Sequence, residues 1–186
     1  MRHIKFTFAI AFAALATTLI LSVPVVAAHG EGDLAKVRFA TIRYLNVNVA
    51  REHGYALLTD AAGIACIDNP PVGAMGVHFV NGDLVASGKI DPLKPQALVY
   101  QPVENGKFQL VAVEYIAFKQ AWDATHNSPP TLFGQQFMLT TAPNRFGLPA
   151  FYSLHAWVWK QNPSGTFSMW NPEVHCPTTS SAKGSA

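Results

Sequence analysis

Two patterns of apolar residues follow one another along this chain of 186 residues. Over residues 33–53 the apolar positions recur every three or four residues, which predicts a helix that Asp33 caps and Gly54 ends. From residue 74 onward the apolar residues form short runs between turn residues, and such runs predict strands. One N-terminal helix packed on several strands favours an α+β fold with a mostly antiparallel, partly barrel-like sheet.

The strand pattern is most specific around one hairpin. The Asn-Gly dipeptide at 105–106 lies between two β-rich runs, and both of its residues accept the positive φ angles of a tight hairpin turn. Extending that turn pairs Val99 with Ala112 and Ala97 with Glu114. The predicted elements are strands over 74–80, 97–103, 108–118, 131–139, 151–159 and 166–170, and a loop over 55–73.

The first 28 residues have the three parts of a secretory signal peptide. Arg2 and Lys5 give a positive start, residues 6–23 carry no charge, and Ala28 ends a group of small residues that suits an export peptidase. An uncleaved anchor is the alternative, but the apolar run is near the lower limit for spanning a bilayer and ends at Pro24. We therefore expect cleavage after residue 28 and a secreted or periplasmic protein without a stable membrane anchor.

Cleavage would leave one globular domain over residues 29–176, followed by a disordered tail over 177–186. Of the 13 basic residues the leader removes two, so the remaining 11 balance 11 acidic ones. No basic cluster remains that could follow a phosphate backbone, which argues against nucleic acid as a partner.

Cys66 and Cys176 predict one disulfide in an oxidising compartment. A pair of thiolate metal ligands is the alternative, although no Cys-x-x-Cys motif supports it.

Three predicted strands each place one titratable side chain on a face that otherwise looks buried. Because side chains alternate along a strand, Glu114 lies in an apolar row of its strand, and His155 lies among aromatic residues of another. His78 shares a face with Gly76, which leaves space beside it. An ionised group in such a place is costly unless it is paired, neutralised or bound to a metal ion.

If Glu114, His78 and His155 converge, they form a set of two histidines and one carboxylate. That set suits zinc with an open position for hydrolytic chemistry, or non-haem iron(II) for oxidative chemistry. Without a metal, Glu114 could orient His155 as a general base, so these two residues are the candidate catalytic pair. A hydrogen-bonded core cluster with a purely structural role is the third interpretation.

Two further hypotheses concern other residues. Trp157 and Trp159 could line the pocket of a small-molecule-binding module, although aromatic residues in strands commonly belong to the core. If His29 is the mature N-terminus, its amine and imidazole could chelate copper together with a second histidine. The residues thus leave three function classes open: a metal-binding protein, a small-ligand-binding module, and a structural envelope protein without a catalytic site.

Six sequence blocks cover most of the chain after the leader. They are GAMGVHF at 73–79, LVAVEY at 110–115, LFGQ at 132–135, LHAWVWK at 154–160, NPSGTF at 162–167 and WNP at 170–172. These blocks resemble those of a widespread family of exported bacterial proteins with no assigned activity. The resemblance implies export and one compact domain, and it implies no mechanism.

Overall fold

The sheet expected from the apolar runs is present in the computed structural model, which describes residues 26–177. The strands are β1 (Tyr55–Leu57), β2 (Cys66–Asn69), β3 (Gly73–Asn81), β4 (Ala97–Pro102), β5 (Phe108–Phe118), β6 (Thr131–Leu132), β7 (Gln135–Gln136), β8 (Met138–Thr140) and β9 (Phe151–Ala156). Seven of them form one antiparallel sheet in the order β1, β3, β4, β5, β9 and β8, with β2 also paired to β3. This sheet is not closed into a barrel, and β6 and β7 form a separate ribbon. The α+β fold class is confirmed.

The helix predicted over residues 33–53 is interrupted. The helices are α1 (Val26–Thr41), α2 (Val47–Glu52), α3 (Gly82–Ala86) and α4 (Lys119–Asp123), with a 3-10 turn (Ile42–Leu45) between α1 and α2. The interruption has a local cause. Asn46 has extended backbone angles, and its side chain accepts a hydrogen bond from the Asn48 N–H, which is the geometry of an N-cap that starts a new helix.

The hairpin between β4 and β5 has the turn expected from the sequence. Both residues of the Asn-Gly dipeptide have positive φ angles, 59° and 67°, as the turn requires. The predicted pairs Val99–Ala112 and Ala97–Glu114 are confirmed. Beside the turn the pairs are displaced by one residue, and a register shift between Val99 and Tyr100 restores the predicted pairing further along.

One face of the sheet carries the main hydrophobic core, which packs under α1 and α2. Buried tyrosines in this core satisfy their hydroxyl groups on main-chain carbonyls, as when Tyr55 donates to Pro95 and Tyr100 donates to Tyr44. The opposite face has a smaller apolar cluster at one end, formed by Ala74, Val99, Val111, Ala112, Trp157 and Val174. The other end of that face carries the titratable side chains.

Several predicted element boundaries are wrong, and a hydrogen bond explains one of them. The expected loop over 55–73 contains β1 and β2, because Ile67 buries its side chain against the sheet. The expected strand over 131–139 is divided into three short strands. The strand expected over 151–159 ends at Ala156, since the Trp157 N–H donates to the Thr166 carbonyl instead of a neighbouring strand. Residues 166–170 do not form a strand.

The predicted disulfide between Cys66 and Cys176 is present, with an S–S distance of 2.03 Å. It joins β2 to the C-terminal segment, which also pairs with the sheet through a bridge between Ala74 and Asn171. Gly73 permits this close approach, because a Cβ atom there would lie 2.4 Å from the Asn171 carbonyl oxygen. A disulfide is typical of proteins outside the cytoplasm.

Parts of the predicted domain organisation lie outside the described residues. They are residues 1–25 of the expected signal peptide (1–28) and residues 178–186 of the expected tail (177–186), so both remain predictions. Within residues 26–177, no helix has the length and apolar character needed to cross a membrane.

Candidate metal centre

Three strands bring His78, Glu114 and His155 together on the sheet face opposite the main core. Glu114 of β5 and His155 of β9 are direct cross-strand partners. His78 of β3 reaches them across β4, where Ala97 is the residue opposite Glu114. Because neighbouring strands lie about 4.8 Å apart, the two side chains start from strands roughly 10 Å apart, and they approach each other diagonally, since His78 is paired with Val99 of β4. The convergence expected from the sequence is therefore observed.

The polar atoms of the three side chains have the spacing of a metal-coordination shell. One ligand atom from each residue lies within 4.8 Å of the other two. His78 Nε2 lies 3.3 Å from His155 Nε2 and 3.5 Å from Glu114 Oε2. A tetrahedron with metal–ligand bonds of about 2.0–2.1 Å has edges of about 3.3–3.4 Å. The two distances from His78 Nε2 are close to these edges, so the three side chains could hold a metal ion.

Glu114 also contacts the imidazole ring of His155 at its Nδ1 atom. Its Oε1 atom lies 3.4 Å from His155 Nδ1, while its Oε2 atom faces His78. A carboxylate beside the second ring nitrogen of a metal-binding histidine fixes the tautomer and the ring orientation. The same contact would orient His155 in a metal-free acid–base pair, so it is compatible with both chemical interpretations.

Burial decides the charge state of the centre. All three residues are at most 6% exposed. Burial lowers the pKa of His78 to about 4, against the opposing effect of Glu114, and burial alone lowers the pKa of His155 to about 4. Both rings are therefore neutral near pH 7, which is the form that binds metal ions. Burial also raises the pKa of the Glu114 carboxyl, although His78 and a hydrogen bond from Ser153 oppose that effect.

A purely structural cluster explains these contacts less well than a binding site does. Within residues 26–177, the buried Nδ1 atom of His78 has no hydrogen-bond partner. A buried nitrogen without a partner costs about 1–3 kcal/mol, and an ion bound at Nε2 would leave this Nδ1 atom unsatisfied, so it does not distinguish a structural cluster from a metal site. A divalent cation would, however, directly offset the cost of burying the carboxylate of Glu114.

The centre lies in the wall of a cavity of about 720 Å³. The wall is formed by β3, β5 and β9 on one side, by α3 on another, and by the segments around residues 140–151 and 169–170. All three titratable residues of the centre line it, together with Ser153. A molecule bound in this cavity would therefore contact the imidazoles and the carboxylate directly.

The two predicted pocket tryptophans do not line this cavity. Trp157 is buried and donates its indole N–H to the Ser168 carbonyl. Trp159 follows the end of β9 and packs towards α1, where it donates to Thr41 Oγ1. Both contribute to a second, smaller cleft beside α1. The predicted copper ligand, His29, is in α1, and its side chain lies outside the described part of the chain, so that hypothesis remains a prediction.

Sequence reasoning missed the residues that close the cavity. Phe146 and Met169 belong to irregular segments, and Arg145 is held there by an ion pair to Asp60 at 2.9 Å. No periodicity marks such residues, because they reach the site through loop geometry. The only sequence signal was compositional: apolar side chains occur in segments that otherwise consist of turn residues.

No family model, no curated protein and no solved structure matches this chain. The geometry of the centre and its cavity therefore carries the functional argument alone.

Proposed function

We propose that this protein is an exported metal-binding protein that holds one divalent ion through His78, Glu114 and His155. The observation that carries the proposal is the pair of Nε2 and Oε2 contacts at 3.3 and 3.5 Å around one point in the cavity wall. Two histidines and one glutamate are the three protein ligands of a common class of catalytic zinc site, in which a fourth position stays open. Here that position would face the cavity.

Zinc is our first choice of metal. The disulfide indicates an oxidising compartment, where a redox-inactive ion keeps its valence. Zinc supplies a water activated to a pKa of about 7, and hydrolysis is the chemistry this supports. We therefore propose a hydrolase that acts on a small molecule. The same ligand set also suits non-haem iron(II), which would instead indicate an oxygenase, and metal analysis of the purified protein distinguishes the two.

A metal-free acid–base site is the second candidate, since Glu114 contacts His155 Nδ1. The low pKa of His155, about 4, makes it a weak base near neutral pH, where efficient general bases have a pKa close to the working pH. We therefore rank this candidate below the metal centre.

Metal content measured by mass spectrometry tests the proposal. After dialysis against zinc and removal of the excess, we expect the full chain to retain about one ion per molecule, as one three-ligand site requires. His155→Ala should lose most of it, whereas His126→Ala should not, because His126 stacks on Trp122 at the surface. Equal zinc retention in both variants, or none in the wild-type protein, would refute the proposal.

A further inference from the structure

Four polar side chains of the cavity wall are gathered at one place. His78 of β3, Glu114 of β5, and Ser153 and His155 of β9 lie together there. Much of the remaining wall is apolar, as in Leu58, Val80, Ile116, Phe118, Leu148 and Phe151. The volume, about 720 Å³, is within the range of small-molecule sites. Such a wall fits a ligand with a hydrophobic body and one polar end.

The charge of the loaded centre indicates what that polar end is. Imidazole binds metal ions in its neutral form, so a divalent ion, one carboxylate and two histidines leave one net positive charge in a buried position. A buried net charge is unfavourable without a counter-ion, so the open position favours a singly charged anion.

The other charged groups of the wall do not change this preference. Arg145 is neutralised by its ion pair with Asp60. Asp68 also lines the cavity, but it is exposed at the rim, where solvent and salt weaken its field.

We propose that the cavity binds a hydrophobic monocarboxylate, with its carboxylate at the metal centre and its hydrocarbon body along the apolar wall. This inference rests on the proposed metal site and names the ligand class of that site. For a hydrolase, such a ligand is the acid released from an ester or amide, so the substrate would be an acyl compound with a hydrophobic acyl group.

Calorimetric titration of the full chain with dodecanoate and dodecanol tests the ligand class. The two probes share a hydrocarbon chain and differ in the charged end. We expect zinc-loaded protein to bind dodecanoate at least about tenfold more tightly than dodecanol, because a hydrogen bond or ligand contact to a charged group is worth about 1.5–3 kcal/mol. Removing zinc should reduce dodecanoate binding to the level of dodecanol.

Filling the cavity provides the second measurement. Val85 of α3 lines the cavity and is not one of the metal ligands, so Val85→Trp should weaken dodecanoate binding at least tenfold and leave zinc content unchanged. Leu93→Trp, at an exposed loop position outside the cavity, is the matched control.

Zinc content measured in the same samples separates the two proposals. If wild-type protein retains no zinc, both proposals are refuted. If zinc is bound but dodecanoate and dodecanol bind equally, or neither binds, or Val85→Trp has no more effect than Leu93→Trp, only the ligand inference is refuted.

Discussion

Removing the Cys66–Cys176 disulfide should cost the domain a large share of its stability. The bond closes a loop of sequence separation 110, which contains most of the sheet. In the chain-entropy model, a loop of this length contributes about 4–5 kcal/mol to the free energy of unfolding. Domains of this size have a total of about 5–15 kcal/mol. A Cys66→Ala/Cys176→Ala variant should therefore be marginally stable, yet folded.

The native contacts around the bond explain why the variant should still fold. Ala74 and Asn171 exchange two main-chain hydrogen bonds, of 3.1 and 3.0 Å, next to the disulfide. Val174 is completely buried in the smaller apolar cluster. These contacts hold the C-terminal segment on the sheet without the bond, so the loss should arise mainly in the unfolded chain. The corresponding decrease in Tm is roughly 8–20 °C.

Urea unfolding followed by circular dichroism measures this loss. The variant should have a lower midpoint and a larger m value than the oxidised wild-type protein, because the unlinked unfolded chain exposes more surface. Wild-type protein in reductant should behave like the variant, and the variant should retain its zinc. A loss of less than about 1 kcal/mol with an unchanged m value would refute the entropic reasoning.

Three other predictions concern single residues. Ala97→Leu should reduce zinc affinity at least tenfold in a chelator competition assay, because Ala97 is fully buried beside its cross-strand partner Glu114 and a larger side chain would displace that ligand. Asp60→Asn should reduce the loss of stability at acid pH. Main-chain N–H donors, above all that of Ile64, and an arginine lower the pKa of Asp60. The contribution of Asp60 to stability is therefore present above about pH 4 and lost below it. Urea midpoints between about pH 2 and 6 should therefore fall more steeply for the wild-type protein, and parallel curves would contradict this. Gly73→Ala should lower Tm more than Gly88→Ala. Both positions have positive φ, but of the two only a Cβ at position 73 would meet a backbone oxygen, at 2.4 Å. Equal decreases in Tm would contradict the steric argument.

The register of the central hairpin could be predicted because the turn chemistry is local. The Asn-Gly dipeptide fixes the turn, and alternation along the two strands then places Ala97 opposite Glu114. The register shift near Val99 could not be predicted, because its causes are distant. Trp159 and Lys160 both donate N–H groups to the Val111 carbonyl, which lies opposite the shift.

The candidate centre could be predicted as a set of residues but not as a geometry. Face alternation places Glu114 and His155 on the buried face of their strands without knowledge of the fold. The position of His78 depends on strand order, since β4 must lie between β3 and β5 for the side chain to reach the others. For Trp159, strict alternation predicts the same face as His155. The strand ends three residues before Trp159, however, and Trp159 packs against the main core on the opposite face.

The use of the two sheet faces is the strongest argument that this site was selected for binding. The face under α1 and α2 is filled as a hydrophobic core normally is, and its buried tyrosines are satisfied. The other face combines a hollow of about 720 Å³, a buried carboxyl with a raised pKa and an unsatisfied nitrogen of His78. A buried carboxyl and an unsatisfied nitrogen both lower the stability of the fold, and a chain selected for stability alone would place apolar side chains at these positions. The occurrence of the hollow and the buried carboxyl at one place is explained if a metal ion offsets the burial of the carboxylate and a ligand occupies the hollow.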